Sequence, residues 1–344
     1  MFNKGFSVIE ALISLIIVST FLITTMTFDA YAQRIVAHKI TPIIPKKIEL
    51  SSRFKGHDIC FLNSSSKLSS IQTIDIPFVT SAVGRNGYVY ITADSNVTSD
   101  PDLYIMKDGG ILGAISTGPG LRDISIVKGF AYVANTSTRS QVQKIDITNP
   151  ESPLVVASFA FASTGNAIYF DQDTIYVGAE KVNGPELVVL DLDLYKIKQY
   201  EIGSQVNDVL VTDKIYVAAS DQNQLHILGE STFSPNGWET QQGKALAASG
   251  TAIYFGRTVG GFNNKENHEL FLLGSTSTDI GAGVYGLVST NDVLFVASRG
   301  IQIWKKPFTY ISTIALQSDP ISLSCDRNTL VVGTKKGIEI INFI

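Results

Sequence analysis

One short pattern recurs seven times along this chain: an apolar residue, an aromatic (Val in the last copy), a second apolar residue, then a small one. It reads Val89-Tyr90-Ile91-Thr92, Ala131-Tyr132-Val133-Ala134, Ile175-Tyr176-Val177-Gly178 and Ile215-Tyr216-Val217-Ala218. Ile253-Tyr254-Phe255-Gly256 and Leu294-Phe295-Val296-Ala297 continue it, and Leu330-Val331-Val332-Gly333 closes the series. Successive second positions stand 42, 44, 40, 38, 41 and 36 residues apart. That period suits four-stranded propeller blades rather than solenoid coils, which repeat at about 20–30 residues. Within each period short β-rich runs alternate with turn residues, as at Val127-Lys128-Gly129 and Val182-Asn183-Gly184-Pro185.

A further strand follows each anchor, for example Val142 to Asp146, Leu187 to Asp191, Leu225 to Leu228 and Ile301 to Trp304. The second repeat continues Ile147-Thr148-Asn149-Pro150-Glu151-Ser152-Pro153 into Leu154-Val155-Val156. This resembles the LVIVD-type propeller repeat, a likeness that bears on architecture and not on activity. The seventh anchor leads only to Gly337–Ile344, one strand short, while Leu68–Ile76 precedes the first full repeat as an orphan outer strand. Together they predict a seven-bladed propeller over 64–344, closed by its N-terminal strand. Closure removes exposed sheet edges. Cys60 lies just upstream of the orphan strand and Cys325 in the same last blade. Two unrelated buried thiols are the alternative, but a Cys60–Cys325 bridge would lock the ring.

The N-terminus carries a different signal. Between Glu10 and Asp29 lie eighteen uncharged, mostly apolar residues, near the length of a membrane-crossing helix. Lys4 precedes them, which keeps a short leader cytoplasmic and sends the bulk of the chain across. A carboxylate at the edge of such a run is costly without a partner, which marks Glu10 as functional. Lys4-Gly5-Phe6 with Glu10 resembles the prepilin signal of type IV pilins and type II secretion pseudopilins. The resemblance implies cleavage and N-methylation at Gly5–Phe6 by a prepilin peptidase. It also implies that Glu10 pairs with a neighbouring subunit's terminal amine, and that other pilin subunits are partners. An ordinary secretory signal cut at Ala30-Tyr31-Ala32 and a plain membrane anchor are the competing readings.

The expected organisation is a leader over 1–5, a hydrophobic pilin-type helix over 6–40 ended by Pro42, a linker over 41–63, and the propeller. The fold class expected is therefore mainly β, with a long N-terminal α-helix ahead of the seven blades. No Lys/Arg stripe accompanies the net charge of −4, which argues against nucleic acid as a partner of the folded head.

Catalytic motifs are missing from the sequence: no phosphate loop, no Gly-x-Ser-x-Gly and no His–Glu metal pair. The histidines (His38, His57, His226, His268) are scattered. The run from Asp94 through Asn96 and Asp100 to Asp102 resembles half a calcium loop, but Ser99 and Ile105 stand where Gly and Glu belong, so a solvated loop is expected and calcium is only a weak candidate. Asp171 with Asp173 and Asp191 with Asp193 read as turn residues. The loops holding Asp94, Asn96, Asp100 and Asp102, and Asn263, Asn264 and Glu266, are candidate contact surfaces for an unknown protein or surface ligand. The expectation is a non-enzymatic minor pilin with an adhesive head, made in the inner membrane and displayed at the cell surface. A secretion pseudopilin and a tethered propeller enzyme are the alternatives.

Overall fold

The computed structural model describes residues 60–95, 100–161, 163–181, 184–221, 223–229, 241–258 and 268–344. Within them the chain is all-β, with 27 strands and no helix. The fold class expected from the sequence is corrected accordingly: an all-β propeller replaces a helix-led chain. The helix expected over 6–40 lies outside the described residues, as do Gly5, Phe6 and Glu10. That expectation rested on a run apolar on every side, which draws helical stability from lipid or other helices and not from a chain's own β core. Among the described residues, no helix is long and apolar enough to cross a membrane.

Seven antiparallel sheets follow one another along the chain. Six take their strands in sequence order from the axis outwards, beginning with Val79–Arg85, Leu121–Val127, Gly165–Asp171, Val206–Val211, Gly243–Ser249 and Gly286–Ser289. Three strands of the fourth blade are described and four of each other blade. The seventh begins at Pro320–Asp326, and its outermost strand is Leu68–Asp75, paired antiparallel with Gly337–Phe343. The ring is closed by the N-terminal strand.

Each recurrent anchor is the second strand of its blade. Ile91, Val133, Val177, Val217, Phe255, Val296 and Val332 are 0% exposed there, because a second strand is covered on both faces by neighbouring blades. Burying such side chains contributes about 1.5–3 kcal/mol each. The core is divided accordingly into clusters between blades. Val83, Tyr90 and Ile105 of the first meet Ile124, Ile126 and Ile145 of the second, and comparable clusters follow round the ring. Tight turns join the first and second strands: Asn86-Gly87 and Lys128-Gly129 both take positive φ, as a two-residue hairpin requires.

Strand direction gives the ring two distinct faces. Connections from an outer strand to the next inner strand, and from second to third strands, emerge on one face, the upper. First-to-second and third-to-fourth connections emerge on the lower face. Phe61 N–H donates to Arg327 O at 2.8 Å, in the turn between the first two strands of blade seven. The chain therefore joins the propeller on the lower face. Cys60 and Leu62, expected in the linker, pack in the core of blades six and seven.

Candidate functional site

The inner strands enclose an axial channel of about 470 Å³. In six of the seven the register shifts after the first residue, so that one residue is left without a partner in the second strand. Such a bulge re-aims a side chain. The residues so placed are Thr80, Arg122, Asn166, Asn207, Lys244 and Ile321, and all line the channel at its upper end. Tyr285 completes the circle from blade six.

Three of these side chains tie one blade to the next. Thr80 Oγ1 donates to Leu121 O at 2.7 Å, Asn166 Nδ2 to Val206 O at 2.6 Å, and Asn207 Nδ2 to Gly243 O at 2.8 Å. One residue deeper a second circle of ties forms. Asp123 accepts the Ile168 N–H at 3.0 Å and the Ser81 hydroxyl at 3.0 Å. Asp208 accepts the Leu246 N–H at 2.9 Å and its neighbour Val209's N–H at 2.9 Å. Ser322 accepts the Ala82 N–H at 3.1 Å, across the closure. The channel carboxylates are thus committed to backbone donors.

Arg122 and Lys244 are the two cations at this level. Arg122 Nη2 lies 3.0 Å from Asp94 Oδ2. Lys244 Nζ approaches Asn207 Oδ1 at 3.4 Å, and burial lowers its affinity for its proton. Sequence reasoning passed over both residues. The available signal was a polar residue breaking five of the seven inner-strand runs just after their start, as in Leu121-Arg122-Asp123-Ile124 and Gly243-Lys244-Ala245-Leu246.

The expected site residues are distributed differently. Asp94 sits at the channel mouth against Arg122, and Asp100 is half-buried. Asp102 is fully buried and structural: its Oδ2 accepts the N–H groups of Thr117 at 2.7 Å and Gly118 at 3.2 Å. Burial raises its carboxyl above the ordinary range. Gln141, Glu186 and Glu269 repeat this arrangement, accepting the N–H groups of Phe161, Ile202 and Ile280. Each pins the link to the next blade beneath the upper face. Asn96, Asn263, Asn264 and Glu266 lie outside the described residues.

Among the described residues, no group of three or more His, Cys, Asp or Glu side chains is placed to hold a metal ion. His226 contacts Asp221 at 2.9 Å and His268 contacts Ser277 at 2.6 Å. Asp191 accepts the N–H groups of Asp193 and Tyr195, a turn role. Cys60 and Cys325 are disulfide-bonded.

Solved structures share this architecture. The WD40 β-propeller domain of Doa1 aligns with 81% of this chain and 97% of its own at a TM-score of 0.59 and 14% identity. The computationally designed protein Ika8 aligns with 81% of this chain and all of its own at 0.56 and 14% identity. The fold is a seven-bladed β-propeller. No family model and no curated protein matches the chain. The prepilin and LVIVD likenesses therefore stand on the residues that carry them.

Proposed function

We propose that this protein is a minor type IV pilin-like protein whose propeller serves as an interaction head, directed at a protein or surface ligand. The observation that carries the reading is Lys4-Gly5-Phe6 with Glu10 at the head of an eighteen-residue uncharged run. In it a prepilin peptidase cuts and methylates at Gly5–Phe6, and Glu10 meets the terminal amine of another pilin subunit. The precursor is held in the inner membrane and the head is displayed outside the cytoplasm.

The head's geometry suits that role. The preceding chain joins on the lower face at Cys60, while the bulge residues and the strand ends at Ala93 and Arg257 lie on the upper face. The commitment of Asp123 and Asp208 to backbone N–H groups supports interaction over catalysis. Propellers host many activities, so the site and not the fold bears this argument.

Mass analysis of the mature N-terminus tests the proposal. A chain starting at methylated Phe6 is the expected result. A start at Gln33 would replace the proposal with an exported propeller, and an intact Met1 would leave only an anchor. Shortening 96–99 or 263–267, which leaves Asp94, Asp102 and Glu269 in place, is expected to weaken adhesion of cells displaying the protein, with the fold retained.

A further inference from the structure

We propose that the upper mouth of the channel binds a carboxylate group at Lys244, with Arg122 of the second blade as the other cation of the same mouth. The hydrogen-bonding inventory of the mouth carries the inference. Thr80, Asn166 and Asn207 spend donors on the carbonyls of the following blades. Asp123 and Asp208, the other charged residues lining the channel, are spent on backbone N–H groups. At Lys244 the unspent capacity belongs to a donor, whereas beside Arg122 it is an acceptor, the buried Asp94 Oδ1. An ammonium has three N–H donors, and among the described residues the hydrogen bond of Lys244 is a long 3.4 Å contact with Asn207. A guanidinium has five donors in a planar fork, and Arg122 has one side braced by Asp94 at 3.0 Å.

Lys244 is half-buried without a carboxylate partner among the described residues, an arrangement that costs free energy until an anion arrives. Its lowered proton affinity has the same origin, the loss of water around the ammonium. A carboxylate supplies Lys244 with the charged acceptor that its long contact with Asn207 does not. Tyr285, 44% exposed on the rim, offers a flat apolar face to whatever carries the group. The channel volume of about 470 Å³ falls within the usual range for small-ligand sites. The carrier is either a free small acid or an acidic peptide side chain, and the chemistry at the mouth is common to both.

The site deepens the interaction reading of the head and takes its biological meaning from it. Binding in solution is nonetheless independent of N-terminal processing, so either can fail alone. Calorimetric titration of the purified full chain with N-acetylglutamate, with an acetylated and amidated tetra-glutamate, and with N-acetylglutamine distinguishes the outcomes. The acidic probes are expected to bind at least about tenfold more tightly than the amide. Tighter binding of the peptide assigns the peptide source, and equal binding assigns the free acid. Lys244→Met is expected to reduce the affinity at least about tenfold, while Lys244→Arg retains most of it, both with thermal midpoints near that of the parent. Arg122→Gln is expected to weaken binding severalfold. Equal affinity for glutamate and glutamine probes overturns the proposal. So does undiminished binding by a folded Lys244→Met, or no uptake of either acid up to about 10 mM.

Discussion

Cys60 is bonded to Cys325, their Cα atoms 5.6 Å apart in space and 265 positions apart in sequence. The bond joins the segment just ahead of the closing strand to the innermost strand of the same blade. Backbone pairing supports the junction from both sides, through Phe61 with Arg327 and Lys67 with Ile344. A cross-link over so long a loop removes entropy from the unfolded chain, about 4 kcal/mol or more in the chain-entropy account. Cys60→Ala with Cys325→Ala is therefore expected to lower unfolding free energy by several kcal/mol. Urea titration with and without reductant checks this: reductant should shift the parent protein's midpoint and leave the double variant unmoved.

Asp208 holds the fourth blade to the fifth through the Leu246 N–H, and Asp123 holds the second to the third through the Ile168 N–H. Both are buried. Removing either carboxylate leaves an amide donor in the wall without a strong acceptor, a loss of about 1–3 kcal/mol. Asp208→Ala should accordingly destabilise the ring by that amount. Asp208→Asn, which retains an acceptor oxygen, should cost less. Equal stability of Asp208→Ala and the parent protein in denaturant would show that the tie contributes nothing.

The sequence made the blades legible because Tyr132, Tyr254 and Phe295 occupy strands buried on both faces, where an aromatic between apolar neighbours recurs at a fixed period. Closure was legible from a missing strand at one end and a spare one at the other. The mouth was not. Arg122 and Lys244 are 122 positions apart and become neighbours of one cavity only when their strands are wrapped round a common axis. Asp102 was misread for a related reason. It stands in a loop rich in acceptors, yet it is fully buried because two N–H groups of the following link need it. Buried acceptors that repeat once per blade, Gln141 and Glu186 among them, look like ordinary loop polarity until the links they hold are in place.

Glu269 confers a pH dependence of predictable sign. It is fully buried and burial pushes its carboxyl up to about 7, with the Asp279 carboxylate adding to the rise and the charge of Arg257 opposing it. A carboxyl whose folded pKa lies above its unfolded value near 4.5 holds its proton more tightly in the fold. Its contribution to stability therefore grows as pH falls from about 7 towards 4.5, and is lost as pH rises again. Glu269→Gln cannot titrate. Unfolding free energies measured between about pH 5 and 7.5 should decline with pH more steeply in the parent than in this variant. Parallel profiles would contradict the assignment.

Gly120 links channel geometry to backbone conformation. It leads into the inner strand of blade two with φ +140°, a conformation that L side chains rarely adopt, and its carbonyl accepts the Thr136 N–H at 3.0 Å. A Cβ there would stand 2.1 Å from Asp94 Oδ1 and 2.9 Å from Asp94 Cα, so Asp94 must move. Asp94 is the brace of Arg122. Gly120→Ala is expected to cost about 1–3 kcal/mol of stability and also to weaken carboxylate binding severalfold, because the guanidinium loses its anchor. Gly87 supplies the control. Its φ is +78° and a Cβ would meet nothing within 4 Å, so Gly87→Ala carries backbone strain alone, about 1 kcal/mol, and leaves the mouth intact. Thermal unfolding and calorimetric titration of the two variants separate the effects. Loss of binding by Gly120→Ala but not by Gly87→Ala assigns it to displacement of Asp94, whereas unchanged binding by a folded Gly120→Ala removes Asp94 from the site.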